Sequence, residues 1–324
     1  MSVKLDYEKL KEKRIEIDIT QKELSEKTGV NINVLKSIET GRTVSDKENI
    51  IKICEELGIS IDSVYQENYR ETKVIGIINN KGGSGKSSLA GSLAYALTES
   101  GNRCLLIDTD AQMNLTHSLN IGKQSNTIYE AILKEDSLDS YIINTEFDNI
   151  DIIPSSIAMS AIEMVLFTKL RRESIIEKIL HPVVEKGVYD YVIIDTNPTL
   201  GLLNYNVANA CDYIIIPVIL SSFGVEGVDL VVNFINDVSK FNKKTKILGI
   251  VINAYDKRKR NINIRCEAVL LEWGYENLIL NSRISIDSHM ENAQLENIPL
   301  LSFDPNSKAA KDYRNLAKEV ISKC

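Results

Sequence analysis

The sequence predicts an α/β protein in which a doubly wound, mainly parallel sheet follows a small all-α segment, and three observations carry that reading. The runs Val74 to Ile78, Arg103 to Asp108, Tyr189 to Asp195 and Thr245 to Asn253 are rich in apolar and β-branched residues with little alternation, as strands covered by helices on both faces must be. Between the first two lies Lys81-Gly82-Gly83-Ser84-Gly85-Lys86-Ser87, a glycine-rich turn from strand to helix. The first 65 residues contain no comparable run and read with helical spacing and helix caps.

The N-terminal elements follow in order. Leu5 to Ile17 has amphipathic spacing and predicts a first helix. Thr20 is a good N-cap, with Glu23 completing a capping box, so Gln21 to Thr28 forms a second helix that Gly29 ends. Asn31 caps a third, Ser45 to Leu57 gives a fourth, and Gly58 to Val64 a last short one. The polar stretch Gln66 to Lys73 reads as a linker, which divides the chain into 1–65, 66–73 and 74–324. The order from Thr20 through Arg42 resembles the helix-turn-helix domain of the phage-repressor (Cro/C1, Xre-type) family. That resemblance implies a third helix in the DNA major groove, with Asn31, Asn33 and Lys36 near base edges and Gln21 and Arg42 on phosphates. The near-balanced charge of the segment also suits a helical docking or dimerisation module.

The glycine-rich turn is built for phosphate. Glycines without Cβ atoms let backbone N–H groups converge, and the helix N-terminus adds partial positive charge. Lys86 suits β and γ phosphates and the Ser87 hydroxyl suits Mg²⁺, so residues 81–88, from Lys81 to Ser88, form the expected nucleotide-binding stretch. A general P-loop has a glycine where Asn80 stands, and Lys81 is superfluous for a simple cradle. Here the chain resembles the ParA/MinD group of ATPases, whose loop reads Lys-Gly-Gly-x-Gly-Lys-Ser/Thr. The resemblance implies ATP and Mg²⁺ as cofactors and a homodimer that sandwiches two ATP molecules, with Lys81 reaching the partner's phosphates.

Asp108 and Asp110 stand at a strand's C-terminal edge, where parallel sheets place ligands. They resemble the family's Asp-x-Asp-x-Gln motif, which implies that Asp110 polarises the attacking water and that Asp108 contributes indirectly to Mg²⁺. Ala111 replaces the proline common there. Gly122 to Phe147 is expected to cover the nucleotide side, with a short helix at Thr127 to Leu133. Ile150 to Pro154 is a strand, and Ile157 to Leu180 is helical apart from the charged Lys169 to Glu173. Asp195 ends a Walker B strand and is expected to reach Mg²⁺ through water, opposite Ser87. The residues after it resemble the family's Asp-Thr-Pro-Pro run, with Asn197 in place of the first proline. Asp212 to Pro217 and Thr245 to Asn253 are strands around a helix from Gly224 to Lys240. The resemblance sets Asn253, at its strand's end, against adenine.

From Lys243 to Arg283 basic residues outnumber acidic ones. The resemblance assigns non-specific DNA binding by the ATP dimer to Lys257, Arg258, Lys259, Arg260 and Arg283; a solvated loop is the plain alternative. Pro299 to Tyr313 resembles the family's closing strand and helix, so the likeness runs from Lys73 to the end.

A net charge of −7 argues against non-specific nucleic-acid binding by the whole surface, though not by a local patch. The N-terminus lacks a signal peptide's apolar core and no stretch is long enough to span a bilayer, which predicts a cytoplasmic protein. The five cysteines show no CxxC pair, which excludes a disulfide framework, a zinc site and the cluster of nitrogenase-type iron proteins. The ParA resemblance implies DNA partition: ATP-driven dimerisation, association with the nucleoid, and release on hydrolysis stimulated by a ParB-like centromere-binding partner. The alternative is a nucleotide-switched transcriptional regulator. A MinD-like membrane ATPase is disfavoured, because Tyr313 to Ile321 reads as a helix packed on its own domain.

Overall fold

The computed structural model describes residues 3–42, 46–67, 69–242 and 244–324, which fall into two compact units, Met1–Arg70 and Glu71–Cys324. The first contains β1 (Val3–Leu5), α1 (Tyr7–Glu16), α2 (Gln21–Thr28), α3 (Ile32–Glu39), α4 (Lys47–Leu57) and β2 (Tyr65–Glu67). The Thr20 capping box forms, Gly29 closes α2 at φ 70°, and Asn31 caps α3. Leu10, Leu24, Val30, Leu35, Ile38, Ile50 and Ile53 make the buried core.

Three expectations change here. Leu5 belongs to a strand that pairs antiparallel with Tyr65, because the Asp6 side chain caps the following helix and starts it at Tyr7. Gln66 and Glu67, read as linker, are therefore strand residues. The stretch before Val64 is a single 3₁₀ turn, Ile61–Ser63. Ser45, where the fourth helix was expected to begin, lies outside the described residues.

The second unit runs β3 (Lys73–Ile77), α5 (Lys86–Thr98), β4 (Cys104–Asp108), α6 (Asn114–His117), α7 (Ile128–Lys134), β5 (Ile143–Asn144), β6 (Ile150–Ile153), α8 (Ile162–Phe167), α9 (Ile175–Glu185) and β7 (Tyr191–Asp195). It continues through α10 (Leu202–Ala210), β8 (Tyr213–Ile219), α11 (Ser222–Phe241), β9 (Lys246–Tyr255), α12 (Arg260–Glu272), β10 (Ile279–Ser285), α13 (His289–Leu295), α14 (Leu300–Phe303) and α15 (Lys308–Lys323). The strands form one sheet in the order β10-β9-β8-β3-β7-β4-β6-β5. All neighbours are parallel except the short edge strand β5. One core lies under α9, α10 and α11, and the other under α5 and α15.

α15 buries Tyr313, Leu316, Ala317 and Val320 against its own unit. Pro299 to Phe303 forms the helical turn α14, not the expected closing strand. The last strand is β10, whose polar Asn281, Ser282 and Arg283 hid it from an apolar-run criterion because an edge strand is covered less completely.

Candidate functional site

In the register of the sheet, Ile77 at the end of β3 and Asp108 at the end of β4 both stand beside Asp195 of β7. The chain thus brings the glycine-rich turn and two aspartates to one sheet edge. Gly83 and Gly85 adopt φ of 71° and 84°, which L side chains rarely tolerate. Gly85 is doubly required, since a Cβ there would collide with the Asn253 amide. Asn253 is buried and donates Nδ2 to the Ser84 carbonyl (2.9 Å). It braces the turn from beneath, within a strand that runs on to Tyr255. Its side chain thus ties the end region of β9 to the glycine-rich turn.

Lys86 is 6% exposed, with Nζ 3.3 Å from the Lys81 carbonyl. Burial pulls its pKa down, and the negative charges of Asp195 and Asp110 hold it up. The Lys81 backbone amide is fixed by Asn79 Oδ1 (2.8 Å), while its Nζ donates to the Ser221 hydroxyl at the start of α11 (3.3 Å). Ser87 stands in the first turn of α5.

The two aspartates of the β4 loop differ. Asp108 is fully buried; one oxygen accepts from the Asp110 amide (3.0 Å) and the other from the Thr116 amide and hydroxyl (2.9 and 2.7 Å). Burial raises its pKa to about 6 against these bonds. Both oxygens shape the loop. Asp110 is only half-buried, accepts from the Gln112 amide (2.9 Å) and lines the cleft beside Lys86 and Ser87.

Asp195 is the outlier. It is fully buried, and neither carboxylate oxygen has a hydrogen bond of full geometry among the described residues. Burial first, then the charge of Asp108, push its pKa well up, while the nearby Ser87 hydroxyl and Lys86 oppose the shift. An unsatisfied buried carboxylate is costly. Asp195→Asn should therefore stabilise the ligand-free protein by roughly 1–2 kcal/mol, raising its melting temperature by about 2–8 °C. The sign with pH follows from the raised folded pKa values. Asp108 and Asp195 bind protons in the fold that the unfolded chain releases, so their contribution is full below the ordinary carboxylate range and is lost as pH rises through the folded pKa, about 6 for Asp108 and well above the ordinary carboxylate range for Asp195. Thermal melts between pH 5 and 7.5 should show the parent losing stability more steeply than Asp195→Asn.

The cleft has a volume of about 560 Å³ and is lined by Gly82, Gly83, Gly85, Lys86, Ser87 and Ser88 on one side. The other side comes from Met290, Gln294 and Pro299 of the α13–α14 region. Gln294 donates to the Ser88 hydroxyl (3.0 Å). No local motif marks Gln294, and the sequence reading missed it. Among the described residues no group of three His, Cys, Asp or Glu is placed to hold a metal.

The basic residues are less uniform than their sequence suggests. Asn31, Asn33, Lys36 and Arg42 are exposed on the first unit. Gln21 instead donates to the buried Glu39 (2.7 Å), which also takes a two-point ion pair from Arg14 (2.6 and 3.0 Å). This internal network ties α2 to α1 and α3. On the second unit, Lys257, Lys259 and Arg260 are exposed between β9 and α12. Arg258 makes a bidentate pair with Asp256, and its hydrogen bonds hold the Asp256 pKa down at about 2. Arg283 is likewise paired with Glu267 (2.8 and 2.9 Å) and lies over the Tyr255 ring. Their charges are largely compensated, and Lys243 lies outside the described residues.

Residues 72–247 match the AAA domain family and residues 10–64 the helix-turn-helix family. The sporulation initiation inhibitor protein Soj of Bacillus subtilis is 32% identical over 77% of this chain and 98% of its own length. The chain belongs to the ParA/MinD family of P-loop NTPases. A crystal structure of a plasmid partition protein from Borrelia burgdorferi superposes on this ParA/MinD-type chain with a TM-score of 0.61 at 28% identity, covering 79% of this chain and 100% of that one. Cobyrinic acid a,c-diamide synthase of Mycobacterium smegmatis, crystallised with an ATP analogue and magnesium, gives 0.67 at 28% identity over 77% and 94% of the two chains. Among the described residues no helix is long and apolar enough to cross a membrane.

Proposed function

We propose that this chain is an ATP-dependent DNA-partition ATPase, and the observation that carries the reading is the unpartnered carboxylate of Asp195 beside Ser87 and Lys86. A buried anion with free lone pairs next to a hydroxyl fits Mg²⁺, which keeps several waters and takes its remaining ligands from phosphates. Ser87 and Asp195 would hold it, and Lys86 with the amides of residues 82–88 would hold ATP. The metal supplies charge neutralisation for phosphoryl transfer. Asp110, facing the same cleft, orients and polarises the attacking water. Lys81, whose Nζ donates to the neutral Ser221 hydroxyl (3.3 Å), can exchange it for the phosphates of a second copy in an ATP-sandwich homodimer.

The names of the relatives, a Soj and a plasmid partition protein, support partition as the use of that cycle. The dimer binds DNA without sequence preference through Lys257, Lys259 and Arg260, and a ParB-like partner stimulates its release. The exposed Asn31, Asn33, Lys36 and Arg42 serve a specific site, the protein's own promoter. The helix-turn-helix unit in the same chain also favours a second reading, a transcriptional regulator that nucleotide merely switches. ATP turnover measured with and without DNA and the neighbouring gene product separates the two: strong joint stimulation supports partition, and flat turnover supports the regulator.

The two DNA activities should be separable. Removing residues 1–70 should abolish specific binding and spare ATP-dependent binding to arbitrary DNA. Lys257→Glu with Arg260→Glu should spare specific binding and weaken ATP-dependent binding to arbitrary DNA, lowering its salt dependence by about two ion releases per chain. These two positions are the informative ones because Arg258 and Arg283 are already paired. Unchanged non-specific binding in the double variant would remove this surface from the account.

A further inference from the structure

The loop that follows Asp195 is held by side chains that no motif predicted. At its far end Glu163 of α8 accepts from the amides of Leu202 and Leu203, the first of α10 (3.0 and 3.1 Å). In its middle Asn197 Oδ1 accepts from the Thr199 amide (2.9 Å). At its near end Asn204, in the first turn of α10, donates Nδ2 to the Asn197 carbonyl (3.0 Å). Asn204 is fully buried, and its Oδ1 has no hydrogen-bond partner among the described residues. The carbonyl fixes the orientation of the amide, since a flipped Asn204 would set two acceptors against each other.

Thr196 is buried and Leu200 packs in part on the core, but Pro198 and Thr199 between them are exposed. Pro198 lines the nucleotide cleft. On the other side Leu200 and Gly201 line a cavity of about 1020 Å³ walled by Phe167, Tyr205 and Phe234. Thr196 is anchored at the near end by its hydroxyl, which donates to the Ile77 carbonyl (2.7 Å), and beyond it, with space on both sides, the backbone from Asn197 to Gly201 depends on the hydrogen bonds just named. Asn197 stands where the family's Asp-Thr-Pro-Pro run has its first proline, whose ring would fix φ covalently. In this chain a buried amide at Asn204 grips the carbonyl of the residue that lacks that ring.

We propose that Asn204 is a positioning residue of the nucleotide site, strapping the Asn197 carbonyl so that the loop 196–201 keeps Pro198 and the end of β7 in place. The proposal rests on the ATPase reading of that site, because what the loop positions is the wall beside Asp195. The strap itself is a property of the chain, and can be tested apart from turnover.

The test uses full-length protein and the variants Asn204→Leu, which keeps the side chain's shape, and Asn204→Ala. Amide exchange at Asn197 and at residues 199–201 should accelerate about tenfold in both, with melting temperature changed by only a few degrees. Turnover at saturating ATP should fall about tenfold, while ATP affinity stays within about threefold, since a mispositioned wall affects reaction geometry more than phosphate capture. Asn197→Pro placed in the Asn204→Ala background removes the amide at 197 and the Oδ1 that holds Thr199, so rescue is read at residues 200 and 201, where exchange should slow again, and in restored turnover. Unchanged exchange in Asn204→Leu would overturn the strap. Parallel loss of turnover, affinity and melting temperature, unrepaired by proline, would reduce Asn204 to a core residue and overturn it as well. A parent protein that binds but does not turn over ATP would instead refute the ATPase reading, and exchange with its proline rescue would still decide the strap.

Discussion

Lys86→Ala should abolish ATP binding, whereas Asp110→Ala should bind ATP within a few-fold of the parent and lose turnover by about 10²–10⁴. The difference follows from where the two side chains stand. Lys86 is buried at the mouth of the glycine turn with its ammonium beside the turn's own carbonyl, placed to meet phosphate. Two charge-assisted hydrogen bonds to phosphate, at about 1.5–3 kcal/mol each, correspond to about 10²–10⁴ in affinity. Lys86 also offsets the charge of Asp195, so its loss should lower the melting temperature of the ligand-free protein, a second signature that Asp110→Ala should lack. Asp110 keeps one oxygen on the Gln112 amide and lines the cleft without a cation of its own. Equilibrium binding of a fluorescent ATP analogue and single-turnover hydrolysis, run on both variants, check the pair of outcomes. Equal loss of binding in both would falsify the assigned division of labour.

How far the site was legible depends on how local its chemistry is. The capping box at Thr20 and Glu23, the Asn31 cap and the glycine turn are set by neighbours a few residues apart, and all three form as the spacing predicts. The strands that end in Asp108 and Asp195 are continuous apolar runs because helices cover both faces. What escaped is long-range pairing. Gln21 meets Glu39 18 residues away, and Asn253 meets Ser84 169 residues away. The family resemblance assigns such polar residues to a ligand, and nothing local in the sequence marks the partners they meet in the fold. Arg283 is alike, since Glu267 faces it from the preceding helix. Arg258 is the instructive near miss: Asp256 stands two residues before it and was visible in the sequence, yet only the turn geometry makes the pair bidentate. Leu5 was lost to a helix because its strand exists only by pairing with Tyr65, at the other end of its unit.

Lys81→Ala should bind ATP nearly as well as the parent yet remain monomeric with ATP and Mg²⁺. In the single chain the Lys81 ammonium lies on the Ser221 hydroxyl at 3.3 Å, a long contact to a neutral partner, while Lys86 provides the cation within the turn. Removing Lys81 therefore leaves the cradle's own charge in place and gives up only a neutral hydrogen bond, worth about 0.5–1.5 kcal/mol. In the proposed two-fold assembly each Lys81 exchanges Ser221 for phosphate, a charge-assisted bond of about 1.5–3 kcal/mol per site. Two sites per dimer make about 3–6 kcal/mol, or about 10²–10⁴ in the dimerisation constant. Ser221→Ala supplies the opposite control, since it removes the resting partner and should leave dimerisation equal to the parent or slightly stronger. Light scattering with ATP and Mg²⁺ reads assembly, and turnover with and without arbitrary DNA reads its consequence. Lys81→Ala should lose both hydrolysis and cooperative DNA binding. A Lys81→Ala protein that dimerised and hydrolysed ATP at the parent rate would show that the lysine stays on its own chain, and an ordinary monomeric P-loop enzyme would then be the better account.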